Sequence, residues 1–325
     1  MSHNHTYFVN PLYPAPVTGT NSCALTVYKP FKYRICQLRL DFLEFDINRP
    51  LAGNCDSDRM VISGINANAV VPTLCGRNTG QHIYVDVENI QGPITIRMLT
   101  SGIGNRRWNI HISQIECTNP SRAPQNCLQY YTGPRGTFQS FNYESTRIPP
   151  QITTPAPGNQ PTDASYLNGM DYAICFRKEA GFCSQTYINN GTRDDFQIIN
   201  QERDGTERTP NTQANAGIVK CPSDYILLGG IRFCGMYLNI DGLQRDTIVT
   251  NAPVIVRVLF FNDCNIHTNT LHLKVFYFTD STRGPFIARF VTDSHSTRRG
   301  FQLSYHQNPC GSIQPTVAIT PAAGG

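Results

Sequence analysis

No stretch of this 325-residue chain approaches the roughly 18 consecutive apolar residues of a membrane-spanning helix. The best candidate, Ala252 to Phe261, is interrupted by Arg257. Clustered positive charge is also missing. The 27 Lys and Arg against 23 Asp and Glu leave a net charge of +4, and apart from Arg106-Arg107 and Arg298-Arg299 the basic residues are scattered. That pattern argues against nucleic-acid binding, which uses a concentrated basic face. The chain has no His-Glu-x-x-His, no Gly-x-Ser-x-Gly and no phosphate-binding loop, so the common signatures of metalloprotease, hydrolase and nucleotide chemistry are absent. The run Thr292-Asp293-Ser294-His295-Ser296 contains the residue types of a catalytic triad, but such a relay is assembled from distant segments rather than from loop neighbours. The 8 histidines are dispersed. His82, His111 and His272 fall at alternating strand positions, where outward-facing, solvated rings are expected. The reading is a protein that binds and does not catalyse.

What the chain does hold is cysteine: 12 of them, with no Cys-x-x-Cys pair. An even count without zinc-ligand spacing points to disulfides, and disulfides to an oxidising compartment. If all are paired, no free nucleophilic thiol is expected. Residues 1–6 carry no apolar core, so the expectation is a secreted chain from which the signal peptide is absent. Asn4-His5-Thr6 and Asn190-Gly191-Thr192 make Asn4 and Asn190 glycosylation acceptors.

Hydrophobic period is two rather than 3.6. Cys36, Leu38, Leu40 and Phe42 share one face of a predicted strand; at Leu43 the phase slips, so that Leu43, Phe45 and Ile47 share the next, which predicts a β-bulge near Phe42. Further alternating runs follow at Ile83–Val87, Ile94–Met98 and Trp108–Ile112, and in the second half at Tyr225–Leu228, Val254–Phe260, Leu271–Phe278, Phe286–Phe290 and Phe301–Tyr305. Residues 7–22 read as an extended edge segment, 149–165 and 200–217 as polar loops, and 311–325 as a flexible tail. The aromatic group Tyr130, Tyr131, Phe138, Phe141 and Tyr143 is expected mostly in the core or the joint, and Trp108 in the core. Arg106-Arg107 is expected on a solvated loop.

One segment occurs twice. Cys55-Asp56-Ser57-Asp58, an apolar run ending in Gly64, then Leu74-Cys75-Gly76 is matched by Cys221-Pro222-Ser223-Asp224, a run ending in Gly229-Gly230, then Phe233-Cys234-Gly235. The repeat divides the chain into a first unit at 7–117, a short joint at 118–126 and a second unit at 127–310 with longer insertions.

Cys-x-x-Asp, an apolar strand, then Leu/Phe-Cys-Gly resembles the CUB domain, as do Gly300-Phe301-Gln302-Leu303-Ser304-Tyr305 and the segment from Gly136 to Tyr143. The two-unit layout is similar to that of secreted arthropod proteins with CUB domains. The resemblance implies an all-β fold of two antiparallel, jelly-roll-like sandwiches held by disulfides. A fold by itself does not supply a function. Aligning the two halves gives Cys23–Cys36, Cys55–Cys75, Cys175–Cys183 and Cys221–Cys234, with Cys117–Cys127 and Cys264–Cys310 left over. The family's usual pairing of the first two cysteines of a domain makes Cys127–Cys175 the rival.

The resemblance also implies calcium, held by a Glu before the central cysteine pair, the Asp three residues after its first cysteine, and an Asp in the last loop; hard oxygen ligands suit that ion. The first unit keeps only Asp58, with Asn48 at the Glu position. The second keeps Asp224 and Asp293, with Ile at the Glu position. Calcium is therefore expected at Asp224 and Asp293 if anywhere, with no other cofactor. The expected role is an extracellular interaction or matrix module with protein partners; the alternatives are a glycan or calcium-dependent ligand binder and a regulatory segment of a larger protease.

Overall fold

The computed structural model describes residues 5–66, 71–143, 165–189, 195–201, 214–238, 247–251, 255–260, 275–280, 284–295 and 297–311. Among them there are 20 strands and no α-helix. Asn4, Asn190, Cys264, His272 and most of the expected polar loops and tail lie outside the described residues.

Two sheets form before residue 117. One has the order β1 (Thr6–Val9), β7 (Arg107–Glu116), β3 (Ile35–Asp46), β5 (His82–Asp86); the other has β2 (Asn21–Val27), β6 (Ile94–Thr100), β4 (Arg59–Ser63). Their inner faces carry Phe42, Phe45, Met60, Ile83, Ile96, Met98, Trp108 and Ile110, all buried. Each such side chain contributes about 1.5–3 kcal/mol through burial. The register between β3 and β7 shifts between Phe42 and Glu44, leaving Leu43 outside the ladder and exposed, where the phase slip places a bulge.

The remaining ladders lie after residue 126. A six-stranded sheet runs β13 (Ala214–Ala216), β15 (Ile231–Gly235), β14 (Tyr225–Leu228), β19 (Phe286–Val291), β10 (Asp171–Phe176), β8 (Cys127–Tyr131). Facing it are β12 (Phe196–Gln197), β20 (Gly300–Pro309), β11 (Phe182–Ile188) and β16 (Thr247–Asn251), with β9 (Arg135–Gln139) also on β20. The hairpin β17 (Ile255–Phe260) and β18 (Val275–Asp280) pairs with itself. Phe138, Phe176, Tyr187, Phe290, Phe301 and Tyr305 pack edge to face in this second core, a geometry that adds to area burial. The fold is all-β, with sandwiched sheets whose ladders are antiparallel except for the parallel pairing of β8 with β10.

The disulfides correct most of the expected pairing. Cys55–Cys75 and Cys221–Cys234 are present, but the others are Cys36–Cys117, Cys127–Cys175 and Cys183–Cys310. Closeness in sequence misleads because consecutive strands of a sandwich can enter opposite sheets. Cys23 sits on β2 and Cys36 on β3, across the core; the ladder between β3 and β7 instead brings Cys36 to Cys117, with Cα atoms 4.8 Å apart. Cys175 on β10 and Cys183 on β11 separate in the same way, so Cys23–Cys36, Cys117–Cys127 and Cys175–Cys183 do not form. Cys310 is taken by Cys183, which removes Cys264–Cys310. Cys23 is a free thiol among the described residues.

The two sandwiches meet along β5 and β8. All of His82, Ile83, Tyr84 and Val85 is buried, because the outer face of β5 is covered by Tyr130 and Tyr131. His82 is therefore not solvated: its Nε2 lies 3.0–3.1 Å from the backbone O and N of Tyr130, and burial with the Arg39 charge lowers its pKa to about 4. Side-chain amides complete the seam. Gln129 Nε2 donates to Gln81 Oε1 (3.1 Å), the backbone N–H of Asn142 to Asn78 Oδ1 (2.8 Å), and that of Arg77 to Asn142 Oδ1 (3.0 Å). Gly76 has φ +79°, and a Cβ there would stand 1.9 Å from Asn142 Oδ1, so this approach requires glycine twice over.

Candidate functional site

The two copies of the Cys-x-x-Asp segment arrive at corresponding places. In the first unit Ile47 N donates to Gly76 O (3.1 Å); in the second, Ile198 N donates to Gly235 O (3.0 Å). Each pins the segment that bears the residue at the Glu position, just past its strand, against the glycine that follows the second cysteine of the pair. The last loop closes on the aspartate in both. Ser101 N donates to Asp58 Oδ1 (3.0 Å), and Asp293 N donates to Asp224 Oδ1 (2.7 Å). Both aspartates are buried, and a buried carboxylate needs partners.

Asp58 has a cation of its own. Arg106 Nε donates to Oδ2 (2.8 Å) and Nη2 to Oδ1 (3.1 Å), a bidentate fork, and Asn48 N adds a bond to Oδ2 (2.8 Å). The guanidinium's other donors reach Gly102 O (3.1 Å), Gly104 O (2.8 Å) and Ser101 O (2.5 Å), so it is fully satisfied. Both side chains of the pair are 0% exposed. The expectation of a solvated Arg106 is thus overturned. Its neighbour Arg107 points the other way and pairs with Glu44 at the surface. With a guanidinium across both its oxygens, Asp58 is no place for a metal ion.

Asp224 has no such partner among the described residues. Tyr166 OH donates to its Oδ2 (2.6 Å), and Asn200 braces its loop, accepting from Ser223 N and Asp224 N (3.0 Å each) and donating to Asp224 O (2.8 Å). Burial pushes the Asp224 carboxyl up to about 7, against the pull of its two hydrogen bonds. Burial and the Asp224 charge raise Tyr166 as well. Asp293 is half-exposed and accepts from His295 N (2.8 Å). The structure therefore brings Asp224 and Asp293 together but sets buried Ile199 where the third acid would stand. Two carboxylates are short of the six to eight oxygens calcium takes, so the residues present fit that ion only in part.

Among the described residues of that run, the triad residue types do not form a relay. Ser294 Oγ (3.3 Å) and Asp293 Oδ1 (3.9 Å) both approach the Nδ1 of His295, whereas a relay needs serine and aspartate on opposite ring nitrogens. Trp108, Tyr130, Phe138, Phe141 and Tyr143 are buried. Arg106, Tyr166 and Asn200 were missed from sequence; the only signal for Arg106 was its five-residue distance from the last-loop position.

Among the described residues no helix is long and apolar enough to cross a membrane. No curated protein sequence matches the chain significantly. Solved structures similar to it include the CUB1-EGF-CUB2 domains of rat MASP-1 (14% identity, TM-score 0.27, covering 94% of this chain and 98% of that one). They also include the CUB1-EGF-CUB2 domain of human MASP-1/3 (13%, 0.28, 94% and 100%). A third is the full extracellular region of zebrafish Gpr126/Adgrg6 (11%, 0.29, 96% of this chain but 34% of that one). The family model for the animal CUB domain matches residues 124–308, more than half of the chain. With its sandwich sheets, its Cys127–Cys175 and Cys221–Cys234 bridges and this match, the chain belongs to the CUB domain family.

Proposed function

We propose that the chain is a secreted, non-catalytic binding protein with extracellular protein partners, acting as two CUB-like units, 7–117 and 127–310, held in fixed relation. CUB domains are extracellular protein-interaction modules, and they are generally non-catalytic. The observation that carries the reading for this chain is the seam between the units. It encloses a cleft of about 390 Å³ lined from both sides, by Tyr84, Val85 and Asp86 of the first unit and by Tyr172, Ile287 and Arg289 of the second. Ile287 is half-exposed there, and an apolar residue ringed by polar groups is a common anchor for a protein partner. Capture from extracellular fluid, comparing wild type with Ile287→Glu, tests this. A stoichiometric protein partner lost in the variant is expected, whereas saturable binding on a glycan array with no protein partner overturns it.

A second reading, calcium-dependent ligand binding, is favoured by one observation: Asp224 and Asp293 meet in the second unit. Calorimetry on the full chain tests it, with an affinity in the 10⁻⁴–10⁻³ M range of extracellular modules expected. Absence of heat at millimolar calcium removes it.

A further inference from the structure

We infer a zinc-binding site on the outer face of the first sheet, formed by His5 and His111. The ladders place Tyr7 opposite His111, and His111 opposite Asp41, so β1, β7 and β3 present one row of side chains on the side away from the core. His5, just before β1, turns back over this row with φ +62°, an uncommon conformation for a residue with a side chain. His5 Nδ1 and His111 Nε2 face each other at 3.3 Å, with ring planes 9° apart. A tetrahedral zinc ion holding two nitrogens at 2.0–2.1 Å separates them by about 3.3–3.4 Å. Tilting the rings is then enough to admit the ion.

The surroundings suit such an ion. His111 Nδ1 lies 3.7 Å from Asp41 Oδ2, longer than a hydrogen bond but close enough that a small ring rotation would let the carboxylate orient a metal-bound imidazole. Arg39 holds the same carboxylate, through Nε (2.9 Å) and Nη2 (2.7 Å) to Oδ1. It fixes Asp41 in place and sets a positive charge nearby, which limits the affinity. Ser113 Oγ is 3.3 Å from His5 Nδ1, within reach of a metal-bound water. Two protein nitrogens leave two positions of a tetrahedron for water or for a donor from a bound protein, beside exposed Tyr7. The site is separate from the Asp224 loop and uses nitrogen, a ligand suited to zinc and poor for calcium.

The test is calorimetric titration of the chelator-treated full chain with zinc at about pH 7.5, above the ordinary imidazole range. One zinc per chain is expected, weakened at least about tenfold in His111→Ala and in His5→Ala, and by a similar factor in Asp41→Asn. His3→Ala serves as the control and should bind as wild type. Neither His5 nor His111 is buried, so these variants should fold, as circular dichroism will show. In the NMR spectrum, zinc should shift the ring protons of these two histidines among the 8. Uptake unchanged in His5→Ala and His111→Ala, uptake lost only in His3→Ala, or no uptake at about 1 mM zinc overturns the proposal.

Discussion

Asp58 and Asp224 stand at the same place in two copies of one sequence segment, and the two sites solve the problem of a buried carboxylate differently. In the first unit a backbone bridge joins Val17 to Arg106, N to O and O to N at 2.9 Å; in the second, Tyr166 N donates to Arg298 O (2.8 Å) at the equivalent point. Where the second unit puts the hydroxyl of Tyr166, the first has an apolar valine and lets the guanidinium fold in. One site is closed by a built-in cation; the other is held by a phenol and two backbone loops and keeps an acid that can change its protonation. The hydrogen bonds that shape the loops are thus alike at the two sites, while the charge balance inside each differs.

The largest expected effect comes from opening the closed site. Arg106→Ala leaves Asp58 buried with no counter-charge and should cost about 3–5 kcal/mol, read as a lower urea midpoint with an unchanged slope. If the loss is under about 1 kcal/mol, the pair is not what holds the first-unit loops. The adjacent Arg107→Ala, at the surface, should change stability by about 0–1 kcal/mol.

Asp224→Asn probes the other site through pH. With a folded pKa of about 7 against an ordinary value of 3.8, the folded state binds the extra proton. The stability tied to this group is fully present below the ordinary value and is lost as pH rises from about 4 to about 7, by an amount on the order of a few kcal/mol. The variant, always neutral, should lose that slope and be more stable than wild type at about pH 8. Thermal melts across this range check it; a parallel slope in both proteins would show that Asp224 is not the titrating group.

Asp293→Ala is the mildest. Its carboxylate is half-exposed and its backbone N–H, not its side chain, serves Asp224, so stability should change by no more than about 0.5 kcal/mol. Any calcium heat seen for wild type should disappear in this variant.

The second half also shows where sequence patterning stops. Alternation marked β19 and β20 but not β10 or β11, although Tyr172, Ile174, Phe176 and Tyr187 are among its most buried residues. Those strands bury residues on both faces in part, as does β5, so the polar half of the alternation is missing. Gln37 and Gln129 look like solvent-facing residues in sequence; both are buried, Gln37 on Asp86 and Ala123 and Gln129 on Gln81.

By itself the sequence determined the all-β class, the bulge beside Phe42 and the two short disulfides inside the repeated segment. These depend on local period and on cysteines bracketing one hairpin-sized segment. Only the tertiary structure decided the long bridges, the burial of His82 and Arg106, and the meeting of His5 with His111. Each of these joins residues on or beside strands that are neighbours in a sheet or across a seam but distant along the chain, and sheet order is set by how the whole sandwich buries its apolar faces. The repeated Asp reads the same in both copies, and its environment, guanidinium in one and phenol in the other, comes from segments that the repeat does not contain.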